Sequence, residues 1–178
     1  MEKNRSIFGD GGGVLLRGAG VKTATDTLFK ANSAGGDGGA IFHVAGNLTT
    51  IGVDLLSNTA SFDGGGLATI SAGTLSVNDS LVQGNRAIHG SGGGLHLAGA
   101  GAKTIFDSDI FKNKAGFEGG GVFLELGALT LDTTLVKGNA AFFRGGGTRN
   151  DTGVAIVLVN GAAVTGNTAL IDPNTSGL

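Results

Sequence analysis

No cysteine occurs in the 178 residues, so neither disulfides nor thiolate metal sites are available, and the absence fits an exported protein that avoids thiols. Proline is nearly as scarce. Its one residue, Pro173, stands beside 36 glycines that follow no G-X-Y period, which excludes collagen. Charged residues make up 15% of the chain against 40% hydrophobic, a balance unlike that of charge-driven disorder. The net charge of −2 supplies no basic patch, so nucleic-acid binding by phosphate neutralisation has no support. The longest apolar run, Val154 to Val159, is too short to span a bilayer. No basic segment followed by an apolar stretch opens the chain, so no signal peptide is visible. The length suits a single domain over 1–178 with a real core.

What is abundant is repetition, and a fixed period is read before anything else. Asn4, Asn32, Asn58, Asn85, Asn113, Asn139 and Asn167 follow one another at steps of 28, 26, 27, 28, 26 and 28 residues. Two places after each stands a small residue: Ser6, then Ala34, Ala60, Ala87, Ala115, Ala141 and Ala169. Glycine triplets begin six or seven residues after each asparagine, at Gly11, Gly64, Gly92, Gly119 and Gly145, with Gly38-Gly39-Ala40 as a variant. Three apolar runs complete each unit. One follows the triplet, as in Leu95-His96-Leu97. One has period two, as in Leu75/Val77 and Leu129/Leu131. One ends just before the asparagine, as in Leu81-Val82.

Strands that short cannot bury their apolar face alone; stacking the units does so. The period predicts an all-β, right-handed parallel β-helix of about six coils of ~27 residues with three sheets, a rod of roughly 30 Å at ~4.8 Å per coil. In such a stack the asparagines fall in one column. An amide has donors and an acceptor, so the column can bond along the axis and specify register. The alanine marks a tight inward corner, and the glycines permit a left-handed backbone and close approach.

The stretches "GGGLATISAGTLSVNDSLVQGNRA" and "GGGVFLELGALTLDTTLVKGNAA" resemble repeats of large bacterial extracellular β-helix proteins. "FKANSAGGDGGAIF", Phe29 to Phe42, is similar to the FxxN and GGAI tetrapeptides of chlamydial polymorphic outer-membrane proteins, which are autotransporter adhesins. Phe29–Asn32 carries FxxN strictly; Leu55, Val82, Ile110, Val136 and Val164 replace the phenylalanine elsewhere. The resemblance implies an extracellular or cell-surface location and an adhesive or scaffolding role, with surface glycans or proteins as partners.

Several constellations bear on chemistry. Asp10, Asp37, Asp63 and Glu118 precede triplets, with Ser91 and Arg144 breaking the series. Stacked carboxylates are a candidate for Ca²⁺, but solvated turn residues are the expectation, since no EF-hand spacing accompanies them. His43, His89 and His96 show no metal-ligand spacing and are expected at the surface. A column of Leu15, Phe42, Ala68, His96, Phe123 and Arg149 is expected to face outward, with Phe42, His96 and Phe123 as a possible contact face or, equally, lying beneath a loop. Thr49, Thr104 and Thr130 make a partial outward rank that Ser76 and Leu158 interrupt. The last coil is polar at Thr148-Arg149-Asn150-Asp151, as at the end of a core.

Function is therefore expected to be non-enzymatic: a structural or adhesive module with no cofactor and no metal site. The alternative is a β-helix that binds or cleaves polysaccharide, for which a cluster of acidic and basic residues on one sheet would speak; Lys and Arg are scattered along the chain. Both ends lie at the same phase of the repeat without an amphipathic helix to cover them. Open edges template further pairing, so head-to-tail self-association is expected, with Pro173 blunting one end.

Overall fold

Period-two alternation buries one face of each strand, and columns of turn residues bend the chain back on itself. A computed structural model describes residues 1–176 and shows a parallel β-solenoid of about six turns, with no helix among the described residues. One turn stands for the rest. Strands Ser33–Ala34, Ile41–His43, Asn47–Ile51 and Asp54–Leu56 follow in order, and each pairs in parallel with its equivalent one repeat away. Stacked, they form four parallel sheets of six, seven, six and six strands, numbered first to fourth in that order.

Four sheets correct the three expected. The additional one consists of the two-residue strands directly after each asparagine, from Arg5–Ser6 to Ala140–Ala141. Two residues are too few to show a period, so only their small inward residue was visible in the repeat. Ala34, Ala60, Ala87 and Ala115 are 0–2% exposed, so the corner holds a methyl group and nothing larger.

The core is a stack of like residues. Ile41, Leu67, Leu95 and Val122 line the second sheet, Leu48, Leu75 and Leu129 the third, and Phe29, Leu55, Val82, Ile110 and Val136 the fourth. Each such side chain contributes about 1.5–3 kcal/mol on burial. Two columns of left-handed residues turn the chain. Asp26, Gly52, Asp79, Asp107, Thr133 and Asn160 lie between the third and fourth sheets at φ of 44–61°. Lys3, Ala31, Ser57, Gly84, Lys112, Gly138 and Gly166 directly precede the ladder asparagines at φ of 52–67°. Asp, Asn and Gly tolerate this backbone; at Ala31 and Lys112 the neighbouring ladder bonds hold the strain.

The asparagine column runs through the interior. The backbone N–H and Nδ2 of Asn58 donate to Asn85 Oδ1 at 2.9 and 3.0 Å, and those of Asn85 donate to Asn113 Oδ1 at 2.9 and 3.0 Å. The second Nδ2 hydrogen goes to a carbonyl of the preceding coil, from Asn85 to Leu55 at 2.7 Å and from Asn113 to Val82 at 2.8 Å. Asn32, Asn58, Asn85, Asn113 and Asn139 are at most 1% exposed, whereas Asn4 is exposed. The ladder also explains the last glycine of each triplet. A Cβ at Gly94 or Gly121 would come within 3.1 Å of the Nδ2 of Asn113 or Asn139.

The two ends differ. The first coil leaves an apolar mouth of about 270 Å³ among Val14, Leu16, Ala24, Phe29, Ile41 and Leu48. At the other end Thr148 N–H donates to Asn174 O, so Asn174 occupies the third-glycine place of a seventh turn. Its Oδ1 accepts from Asn167 N at 3.1 Å and Nδ2 at 3.3 Å, which is the bonding of the next rung supplied from seven residues away. Pro173 stands in the second-glycine place, accepts from Gly147 N–H at 2.9 Å and has no N–H to pass on. Two of the polar residues of the last coil, Thr148 and Asn150, turn inward: Asn150, 2% exposed, accepts from Thr152 N and donates to Val154 O, folding 151–155 so that Ile156 enters the core.

Candidate functional site

Because inward and outward residues alternate, the middle residue of each second-sheet strand faces away from the core. Register stacks Leu15, Phe42, Ala68, His96, Phe123 and Arg149 in one column. Of the two readings open for this column, a contact face or a strip beneath a loop, the burial favours the second: Phe42, His96 and Phe123 are 6%, 6% and 8% exposed. In-register stacking makes each side chain a lid for its neighbours. The His96 and Phe123 rings stack with centroids 5.2 Å apart and planes 6° from parallel. The preceding loop closes over the column as well, since a Cβ at Gly119 would lie 2.7 Å from that of Phe123.

A small charged group with one arginine, Arg149, gathers at one end of this column. His96 Nε2 lies 3.4 Å from Glu125 Oε2. Arg149 Nε donates to Glu118 Oε2 at 3.2 Å, and Arg149 Nη2 pairs with Asp151. A histidine beside a carboxylate is suited to proton transfer, and an arginine to holding an anion. Here the arginine is already matched by two carboxylates.

The acidic residues before the triplets are not simply solvated. Asp10 Oδ1 accepts from Asp37 N at 2.9 Å, Asp37 Oδ1 from Asp63 N at 2.9 Å, and Asp63 Oδ1 from Ser91 N at 2.7 Å. Burial pushes the Asp37 carboxyl above its ordinary value; the Asp63 amide pulls it back, and the Asp63 and Asp10 carboxylates push it up again. Among the described residues no group of three or more His, Cys, Asp or Glu is placed to hold a metal ion.

Two interior features escaped sequence reasoning. His43, expected at the surface, is fully buried: Nδ1 meets Thr69 Oγ1 at 3.0 Å and Nε2 meets Ala45 O at 2.9 Å. Burial lowers its pKa, the bond to Ala45 opposes this, and Lys22 lowers it further. His89 is exposed. Lys103, in register with Leu75 and Leu129, is 2% exposed, and its ammonium donates to Gly99 O, to Gly101 O at 2.7 Å and to Leu126 O at 2.9 Å. Burial brings its pKa down to about 8. Lys22 repeats the arrangement at the open end, on Gly18, Gly20 and Ala45 carbonyls. A lysine in a leucine column was the available signal.

The loop between the first and second sheets carries the largest run of exposed apolar residues. Phe8 is 96% exposed, Phe62 54%, Phe117 50% and Phe142 76%, with Ile7, Leu170 and Ile171 alongside. These loops stack on one another: Phe117 N–H donates to Gly90 O, Phe143 N–H to Phe117 O, and Ile171 N–H to Phe143 O. The Phe117 and Phe143 rings lie 5.7 Å apart, and the Arg144 guanidinium sits 4.8 Å over Phe143. The pattern was legible as a phenylalanine two places after the alanine in Ala60–Phe62 and Ala115–Phe117. On the third sheet Thr23, Thr49, Ser76, Thr104 and Thr130 form one outward hydroxyl rank, closed by Val157 instead of Leu158. Its neighbour, Thr25, Ile51, Asn78, Phe106 and Asp132, is mixed, so no array of hydroxyls arises.

These observations define a parallel β-solenoid repeat protein whose polar chemistry is largely spent on register. Among the described residues no helix is long and apolar enough to cross a membrane. Compared with known protein families, with curated proteins and with solved structures, the chain matches none.

Proposed function

We propose that the chain is a non-enzymatic structural and adhesive module of an extracellular or cell-surface repeat protein, similar in kind to the polymorphic outer-membrane adhesins. The coil is right-handed in this reading, as parallel strand crossovers nearly always are. The observation that carries the proposal is the phenylalanine ridge, Phe8, Phe62, Phe117 and Phe142, held at half exposure or more on stacked loops. A contiguous apolar surface on a rigid rod is costly in water unless something covers it. The bonded interior supplies the rigidity that an adhesive rod needs. End-to-end stacking is a lesser mode, because Asn174 already takes the place of a next rung at one end.

The experiment is adhesion of beads coated with the chain to cells and to protein- or glycan-coated surfaces. Phe62→Ser with Phe117→Ser and Phe142→Ser should reduce adhesion several-fold while the chain stays folded, with a modest fall in melting temperature from the lost Phe117–Phe143 stack. Unchanged adhesion would overturn the ridge as the adhesive surface.

A second reading is favoured by the His96–Glu125 pair beside Arg149: binding or cleavage of polysaccharide on the second sheet. It requires release of unsaturated sugars or reducing ends from pectin, alginate or glucan, and loss of that release in His96→Ala. None is expected, because Glu118 and Asp151 hold Arg149 and the His96 ring is stacked under its neighbour.

A further inference from the structure

We infer that the phenylalanine ridge docks a second copy of this chain, side by side. This rests on the adhesive reading above and names one partner for the ridge.

The composition of the ridge comes first. The chain has no tryptophan and no tyrosine, so the ridge aromatics bring no hydroxyl or indole N–H to a ligand. A ridge mostly of phenylalanine, isoleucine and leucine, with His89 on the fourth coil and Arg144 over Phe143, is best covered by a surface that is also largely apolar and repetitive. The same ridge on another copy is such a surface.

Relief and area fit. Phe8 and Phe62 stand on the first and third coils, and between them the second coil has only Gly35 and Gly36. That gap is imposed by packing. A Cβ at Gly35 would lie 1.9 Å from Ile7 O, and one at Gly36 2.0 Å from Asp10 Oδ1. With coils ~4.8 Å apart, a partner slid by one coil sets a phenyl ring into the gap. An aromatic side chain offers roughly 150–250 Å². Ile7, Phe8, Phe62, Phe117, Phe142, Leu170 and Ile171 at their observed exposure therefore approach the roughly 800 Å² per partner of a standard interface.

The test is sedimentation equilibrium of the whole chain from micromolar to near-millimolar concentration, with thermal melting of every variant as a check on folding. A reversible dimer is expected. Phe62→Ser with Phe117→Ser should weaken it at least tenfold while each variant stays folded. A monomer at every concentration overturns the inference. So does a dimer indifferent to the ridge variants, which places the contact at the rod ends. A strict monomer whose beads still adhere through the ridge overturns the lateral pair and leaves the adhesive module standing.

Discussion

The asparagine column and the carboxylate column run along the same solenoid and use the same bond, a side-chain oxygen accepting a backbone N–H from the adjacent coil. Only the asparagines run its length, from Asn4 to Asn167 with Asn174 closing the end. The carboxylates make three such bonds, from Asp10 to Ser91, and then give way to Glu118, which turns to Arg149 instead. An amide is neutral and both donates and accepts, so each rung satisfies the next. A carboxylate only accepts, and one coil away stands another negative charge. At about 4 Å that repulsion is roughly 1 kcal/mol in water and 4 kcal/mol at an effective dielectric of about 20. The half-buried acids extend for a few coils; a buried column of them would not form.

The sharpest way to break this comparison is to move a charge from one column into the other. Asn85→Asp keeps the accepting oxygen but replaces Nδ2, which donates to Leu55 O and Asn113 Oδ1, by a second oxygen. Stability to denaturant should fall by more than about 3 kcal/mol. A loss no greater than that of Asn85→Ala would mean the donor half of the amide is dispensable.

Asn85→Ala removes the rung without adding charge and should cost about 1–3 kcal/mol. Asn4→Ala, at the exposed end, should cost less than about 0.5 kcal/mol. Equal melting temperatures for the two variants would sink the claim that burial gives the ladder its weight.

A smaller effect separates the acids by pH. The Asp37 carboxyl titrates above its usual 3.8 in the fold, so the native state binds this proton more readily than the unfolded chain. The penalty is present above that folded pKa and is relieved as pH falls through it. Wild type should therefore gain stability relative to Asp37→Asn as pH is lowered from neutral toward 4, by less than about 1 kcal/mol. A gain in the opposite direction, followed by thermal unfolding across that range, would show that the Asp63 amide outweighs burial.

The smallest expected effect is none. Millimolar Ca²⁺ should leave the melting temperature unchanged, because the oxygens of Asp10, Asp37 and Asp63 that face backbone amides are already engaged. A rise of several degrees that Asp37→Asn with Asp63→Asn abolishes would make the column a cation site.

How far residues were legible depended on what made them regular. The ladder asparagines, the inward alanines and the glycine triplets stood out because each coil repeats them at one phase. The first sheet did not, since two residues have no period. Phe42, His96 and Phe123 were placed correctly on one column, but their covering by stacked neighbours and by the loop before them depends on coil spacing. Arg149 and Glu118 are 31 residues apart and meet only because the column and the loop converge. The ridge was written as recurring phenylalanines, and its exposure followed from loops that stack outward.

The sequence by itself determined the solenoid, its period and its register. A repeat carries those in composition and spacing, and one neutral side chain per coil suffices to align the stack. Tertiary structure alone decided the number of sheets, which outward residues are covered, how the two ends differ, and where Lys103 and His43 find partners. Each of those depends on contacts between coils, where a side chain meets residues about 27 positions away and local pattern carries no signal of what it will touch.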